Sequence, residues 1–310
     1  MKEFSVSEIF GPVQEGEGPF YSGYPTLYVR FARCNLSCPG FNNPTNVDPS
    51  TPEVLGFDPK RIKLLDEMPM ITVGCDSQYA VHEQFSHLWS KMTASAIAED
   101  LKNRLPTGTW IHEKTKQPYV LSLTGGEPML YAKQWFEILS HESMNDLQIV
   151  IIETNGTVPP APSLRNDIAS WLAKDSRRRW VWSVSPKLSA SGESWDAAIR
   201  PKAIGCMLSD YVVTYETDYA EENFDVSDQV QFYLKFVVGD SDRDFAEVET
   251  ALEQYVQEVG RYPTVSVMPM ACTSEQQQEI IQGVANRAVQ RGWHMSVRLQ
   301  NVIWGNTVGK

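Results

Sequence analysis

The 310-residue chain has no long apolar run, few cysteines and a shortage of positive charge. Its uncharged apolar stretches fall far short of the roughly 20 residues that a membrane-spanning helix needs, so no membrane association is expected. Met1-Lys2-Glu3-Phe4 leads into a patterned segment rather than an apolar signal region, and a cytoplasmic location is expected. Lysine and arginine total 27 against 39 aspartates and glutamates, a formal charge of −12. Binding to a polyanion relies on cations that displace counterions from phosphates, so direct contact with nucleic acid is not expected. The one basic run, Arg177-Arg178-Arg179, reads as a solvated helix end. The five cysteines, in a reducing compartment, point to metal or redox chemistry and not to a disulfide framework.

What is present is an ordinary globular composition, 42% hydrophobic, with enough chain for one large domain. Periodicity predicts strands over 26–33, 118–124, 148–153, 180–184, 209–214, 231–238, 263–268 and 293–298. Helices are predicted over 93–104, 131–140, 163–174, 243–259 and 274–291, with Gly260 ending the fourth. Repeated β/α units imply an α/β fold with a largely parallel sheet, either a complete or partial barrel or an open doubly wound sheet. Both carry functional groups at the carboxyl ends of strands. Two segments interrupt the rhythm: the proline-rich 39–74 and the irregular 185–228.

Cys34-Asn35-Leu36-Ser37-Cys38 follows an apolar run that reads as a buried strand. Two thiols cannot complete a metal site alone, and Cys75, in Gly74-Cys75-Asp76-Ser77, is the best third ligand. Three other predicted strands end in polar words. They are Thr124-Gly125-Gly126-Glu127-Pro128, Glu153-Thr154-Asn155-Gly156 and Ser185-Pro186-Lys187, which together outline one rim. Bare backbone at Gly125 and Gly126 would let a ligand approach closely, and Glu127 would offer a carboxylate to an amino group. Cys206 and Cys272 sit among apolar residues and read as packed small side chains.

This ordered set resembles the radical S-adenosylmethionine (SAM) enzymes, and within them the branch that contracts a carboxylated tetrahydropterin to a 7-deazaguanine. The opening Gln14-Glu15-Gly16-Glu17-Gly18, with Val29-Arg30, and the later Lys235-Phe236-Val237-Val238 and Arg298-Leu299-Gln300 are similar to that branch in order along the chain. In most radical SAM proteins the third cysteine lies three positions beyond the second, where this chain has Phe41. Matching Cys75-Asp76-Ser77 to the family's Cys-Asp-Thr moves an insertion, 39–74, between the second and third ligands.

The resemblance implies a single radical SAM domain over 1–310, a partial or distorted (β/α) barrel with inserted irregular segments. It implies a [4Fe–4S] cluster on Cys34, Cys38 and Cys75, with one iron left for SAM. Gly125, Gly126 and Glu127 would lie near the methionine amino group, and Gly74, Cys75, Asp76, Ser185, Pro186 and Lys187 would contact the rest of SAM. Ser77 would hold Mg²⁺. Arg30 would bind the carboxylate of 6-carboxy-5,6,7,8-tetrahydropterin, with Thr124 and the loop Val13, Gln14, Glu15, Gly16 and Glu17 around the ring. The implied activity is a carbon–nitrogen lyase forming 7-carboxy-7-deazaguanine with loss of ammonia. The implied partners are a flavodoxin-like electron donor and a second copy in a homodimer. Two other readings stay open: a Cys3His zinc site completed by His82 or His87 in a non-catalytic binding module, and an activating enzyme that installs a glycyl radical on a protein.

Overall fold

Apolar residues at every second position make one face of each central strand water-avoiding, and helices cover that face. A computed structural model describes residues 2–14, 18–41, 57–72, 74–216, 221–305 and 307–309. Its strands are β1 (Phe4–Gln14), β2 (Pro25–Phe31), β3 (Ser90–Met92), β4 (Val120–Gly125), β5 (Ile149–Thr154) and β6 (Arg179–Val184), then β7 (Val212–Glu216), β8 (Glu221–Asp225), β9 (Val230–Val238), β10 (Val265–Pro269) and β11 (His294–Met295). Nine of them form one sheet in the order β11-β10-β9-β6-β5-β4-β2-β1-β3. The run from β2 to β11 is parallel throughout, whereas β1 pairs antiparallel with both β2 and β3. The result is a mixed α/β fold built on a partial, distorted β/α barrel, as expected.

The outward face carries Leu121, Leu123, Val150, Ile152, Trp180, Trp182, Leu234 and Phe236, all without solvent exposure. They join one core with residues from the helices Trp135–Leu139, Pro162–Leu172 and Asp242–Val259. The last helix matches its predicted span. Ser241 caps its start by accepting from the Asp244 N–H, and Gly260, in left-handed conformation, ends it. The predicted helix 131–140 is in part a tight 3₁₀ turn, Pro128–Gln134, before the α-helix begins at Trp135.

Three expectations change. The predicted strand 209–214 is not part of the parallel series: β7 pairs antiparallel with β8 in a separate two-stranded sheet, and β6 lies directly beside β9. The β-branched Val212, Val213 and Thr214 favour an extended β7, but a hairpin partner nearby in sequence satisfies its backbone. The segment 185–228 also contains helices Trp195–Ala198 and Pro201–Met207, so it is less irregular than its composition implied. Arg178 is not a solvated charge. It is buried, stacks 4.6 Å over the Trp171 ring and donates to the carbonyls of Trp171 and Asn145, while Arg177 pairs with Asp175.

The described part of the insertion, 57–72, forms a satellite core. Phe57, Ile62, Leu65, Met68 and Ile71 gather around Tyr79 and Phe85. The chain therefore re-enters the main body just after Cys75, against its own small apolar cluster.

Candidate active site

A cavity of about 1000 Å³, counted to its open mouth, lies at the carboxyl ends of the parallel strands and is lined by Cys34, Cys38 and Cys75 together. Backbone bonds bring the third thiol back. The Arg33 N–H donates to the Ala80 carbonyl at 2.6 Å, tying the end of β2 to the turn that follows Cys75. On the other side the Arg33 carbonyl accepts from the Glu127 N–H at 2.9 Å. Gly125 and Gly126 pack so closely on the backbone of Phe31 and Arg33 that a Cβ at either would collide with a carbonyl oxygen. The space that the sequence reading reserved for a ligand at these glycines is thus occupied by the cysteine-bearing loop, although both also border the cavity.

Glu127 differs more. Its carboxylate is fully buried and accepts from the N–H groups of Met129 and Asn155 and from the Thr154 hydroxyl, at 2.7–3.0 Å. It therefore joins the ends of β4 and β5 instead of facing the cavity as an amine acceptor. Burial raises its pKa against the effect of those hydrogen bonds.

The Cys34–Cys38 loop is held from two sides. Asn155 Nδ2 donates to Asn35 Oδ1 at 3.0 Å and approaches Cys34 Sγ at 3.8 Å. Glu193 Oε1 accepts from the N–H groups of Ser37 and Cys38, both at 2.6 Å, and from the Ser37 hydroxyl at 3.1 Å. Cys38 has φ +45°, a strained value for a residue with a side chain, so these bonds oppose relaxation of the loop. Burial, with Glu127 adding repulsion, pushes the Cys34 thiol up to about 12; burial and Asp76 do the same to Cys75. Neutral thiols are favoured there until a cation binds.

A chain of alternating charge meets the cavity wall at Arg30, Ser77, Asp76 and Arg298. Arg30 Nε donates to Glu8 Oε1 at 2.7 Å and its Nη1 to Ser77 Oγ at 2.6 Å; Tyr79 also donates to Glu8. The guanidinium lies over the Phe10 and Tyr79 rings, and despite burial its pKa is raised by Tyr79, Glu8 and Asp76. Asp76 pairs with Arg298 at 2.8 Å. Burial works against the Asp76 charge, but Arg298, Arg30 and Lys187 together hold its pKa below the usual range. The lining includes four cations, Arg30, Lys187, Lys235 and Arg298, against two carboxylates, Asp76 and Glu153. An acidic chain thus presents a cationic cavity, suited to ligands that carry carboxylates.

Of the other expected residues, Thr124, Ser185 and Lys187 line this cavity, while Gly74 and Pro186 line its continuation toward Cys272. Val13 packs with Phe10 and Tyr28, and Gln14 is exposed. Glu15, Gly16 and Glu17 lie outside the described residues. Cys272 is not simply packed: its thiol donates to the Gly74 carbonyl at 3.4 Å at the cavity edge. Sequence reasoning assigned no role to Glu8, Glu153, Asn155, Ser183, Glu193 or Lys235. Strand alternation was the available signal for three of these, since Glu153, Ser183 and Lys235 are the polar residues between apolar neighbours on β5, β6 and β9.

The zinc alternative finds no donors here. His87 Nε2 is bonded to the Ile62 carbonyl, and neither His82 nor His87 lines the cavity. Among the described residues no three His, Cys, Asp or Glu side chains converge on a single metal ion. Thiols spread around a wall can instead hold a larger group.

A β/α fold with its polar, thiol-bearing cavity at the strand ends fits the radical SAM type of enzyme. The chain is similar to 7-carboxy-7-deazaguanine synthases. It is 29% identical over 305 residues, 98% of its length, to the 7-carboxy-7-deazaguanine synthase of Pyrobaculum aerophilum, covering 96% of that protein. It is 28% identical over 154 residues, half of its length, to the enzyme of the same name from Methanospirillum hungatei, covering 43% of that protein. A 43-residue stretch, 14% of the chain, is 49% identical to the synthase of Haemophilus influenzae and covers 19% of it. No family model and no solved structure matches the chain. Among the described residues no helix is long and apolar enough to cross a membrane.

Proposed function

We propose that this protein is a 7-carboxy-7-deazaguanine synthase, contracting 6-carboxy-5,6,7,8-tetrahydropterin to 7-carboxy-7-deazaguanine with loss of ammonia. The observation that carries the reading is one cavity lined both by three thiols and by the Arg30 guanidinium. The donor set suits a [4Fe–4S] cluster: three soft thiols line one cavity, and no histidine is among its lining residues. Bound on Cys34, Cys38 and Cys75, the cluster supplies the one-electron reduction that cleaves SAM.

The chain's own residues bind and orient. Lys187 and Ser185, after β6, and Gly125 and Gly126, at the end of β4, line the same cavity as the thiols, where SAM is expected. Asp76, kept ionised by Arg298, offers acceptors to the ligand's N–H or O–H groups. Arg30 is oriented by Glu8 and by the rings of Phe10 and Tyr79 and lines the cavity, where its guanidinium would meet a substrate carboxylate. Ser77 Oγ now accepts from Arg30. Its second lone pair is the one that Ser77 would offer to Mg²⁺. Thr124 and Ser122 fix the Glu153 carboxylate at 3.2 and 2.6 Å, so it is preorganised to accept from ring N–H groups.

The test is anaerobic incubation of iron-loaded protein with SAM, a reductant and the carboxylated tetrahydropterin, followed by mass analysis. The expected product is 7-carboxy-7-deazaguanine with ammonia. Cleavage of SAM with unchanged pterin contradicts the assignment.

A further inference from the structure

One polar row crosses the floor of the cavity in register. Arg30 on β2 pairs with Thr124 on β4; Glu153 on β5 pairs with Ser183 on β6; Ser183 pairs with Tyr233 on β9. Thr124 donates to Glu153 and closes the remaining gap in the row. Ser183 stands out within it. It is 1% exposed, it lines the cavity, and its Oγ has no hydrogen-bond partner among the described residues. Its counterparts on β4, Ser122 and Thr124, both spend their hydroxyls on Glu153, and Ser183 does not share that carboxylate.

A buried hydroxyl without a partner destabilises the protein that carries it, so a native one calls for a physical reason. The strand's own carbonyls face sideways into the ladder, which leaves the cavity as the direction in which this hydroxyl can be satisfied. Gln231, further toward the amino end of β9, has a similarly unpartnered Oε1 but does not line the cavity. Ser183 therefore gives the cavity wall a hydroxyl whose partner the described residues do not supply.

Arg30 and Ser183 are three strands apart, about 14 Å at the backbone. A carboxylate held by Arg30 at one end and a fused bicycle extending along the row brings the distal ring to Ser183. We propose that Ser183 is a specificity-determining residue whose hydroxyl hydrogen-bonds a heteroatom of the substrate's distal, pyrimidinone ring. This rests on the synthase reading and adds to it the end of the substrate that the strand β6 reads. A ring presenting only C–H groups there would leave the hydroxyl unpaired and would be rejected.

Ser183→Ala tests it on the full-length, cluster-loaded protein. The expected result is a KM for the carboxylated tetrahydropterin raised about fivefold to tenfold, the worth of one neutral hydrogen bond. The KM for SAM stays unchanged, and more SAM is consumed per product. The melting temperature of the ligand-free variant stays level or rises, because a buried unpaired hydroxyl has been removed. An unchanged pterin KM, in a wild type that does turn over, overturns the assignment. So does a lowered melting temperature with both KM values altered together, which would mark a packing role. A wild type that binds and cleaves SAM but leaves the pterin unchanged overturns the synthase reading itself, and with it the ligand assigned to Ser183.

Discussion

The two faces of the central sheet share strands but obey opposite rules. On the outward face Trp180, Trp182, Leu234 and Phe236 are sealed against helices, and apolar area removed from water stabilises the fold. On the inward face Thr124, Ser183 and Lys235 are nearly as buried and Arg30 and Glu153 are half-buried, yet all five are polar or charged and surround a cavity. Burial on the first face is an end in itself; on the second it strengthens electrostatics and leaves groups dependent on a ligand. Substitutions on the two faces should therefore separate stability from chemistry.

The largest expected effect is on the outward face. Trp182→Ala removes a fully buried ring that also donates to the Tyr211 hydroxyl at 3.0 Å. It should destabilise the protein by about 3–5 kcal/mol, read as a shifted denaturant midpoint. A loss under about 1 kcal/mol would mean that the core collapses around the gap and that the two faces are not so different.

On the inward face, Arg30→Lys keeps the charge but loses the planar fork. Turnover of the carboxylated pterin, as kcat/KM, should fall about tenfold to hundredfold, with the KM for SAM and the denaturant midpoint nearly unchanged. Equal turnover would remove Arg30 from the substrate site. Ser77→Ala should shift the Mg²⁺ concentration for half-maximal activity severalfold while leaving the cysteine loop assembled. A metal response identical to wild type counts against Ser77 as a ligand.

The smallest effect concerns pH. His82 is buried with Nε2 unpartnered, and burial pushes its pKa down from 6.5 to about 4. Between those values the unfolded chain binds the proton and the native state does not. The stability it supports is therefore present above pH 6.5 and is lost as pH falls toward 4. His82→Leu should flatten that acid limb in a series of melting curves; an unchanged slope would place the acid sensitivity elsewhere.

Sequence reasoning reached the parallel strands because their β-branched and aromatic runs are local signals. It missed β1 as a strand, since Ser5, Ser7, Glu8 and Gly11-Pro12 break any apolar run and the strand pairs through bulges. Cys75 was legible from its neighbours Asp76 and Ser77, despite the 36 residues, 39–74, that separate it from Cys38. Glu193 was not legible. Its hold on Ser37 and Cys38 spans about half of the chain and carries no periodic signature. The internal bonds of Glu127 were not legible either: a carboxylate after two glycines looks like a ligand group in sequence, and its three donors, from the end of β5 and its own helix turn, are set by the fold.

The central claim is that the chain returns after the insertion to complete a three-thiol site. Iron and sulfide analysis after anaerobic reconstitution tests it directly, with wild type compared to Cys75→Ala. The account predicts a brown wild type with iron and sulfide near a 4:4 ratio, about that of one cubane cluster, and a variant that fails to assemble it. A colourless wild type, or a Cys75→Ala variant that holds the full cluster, would contradict it.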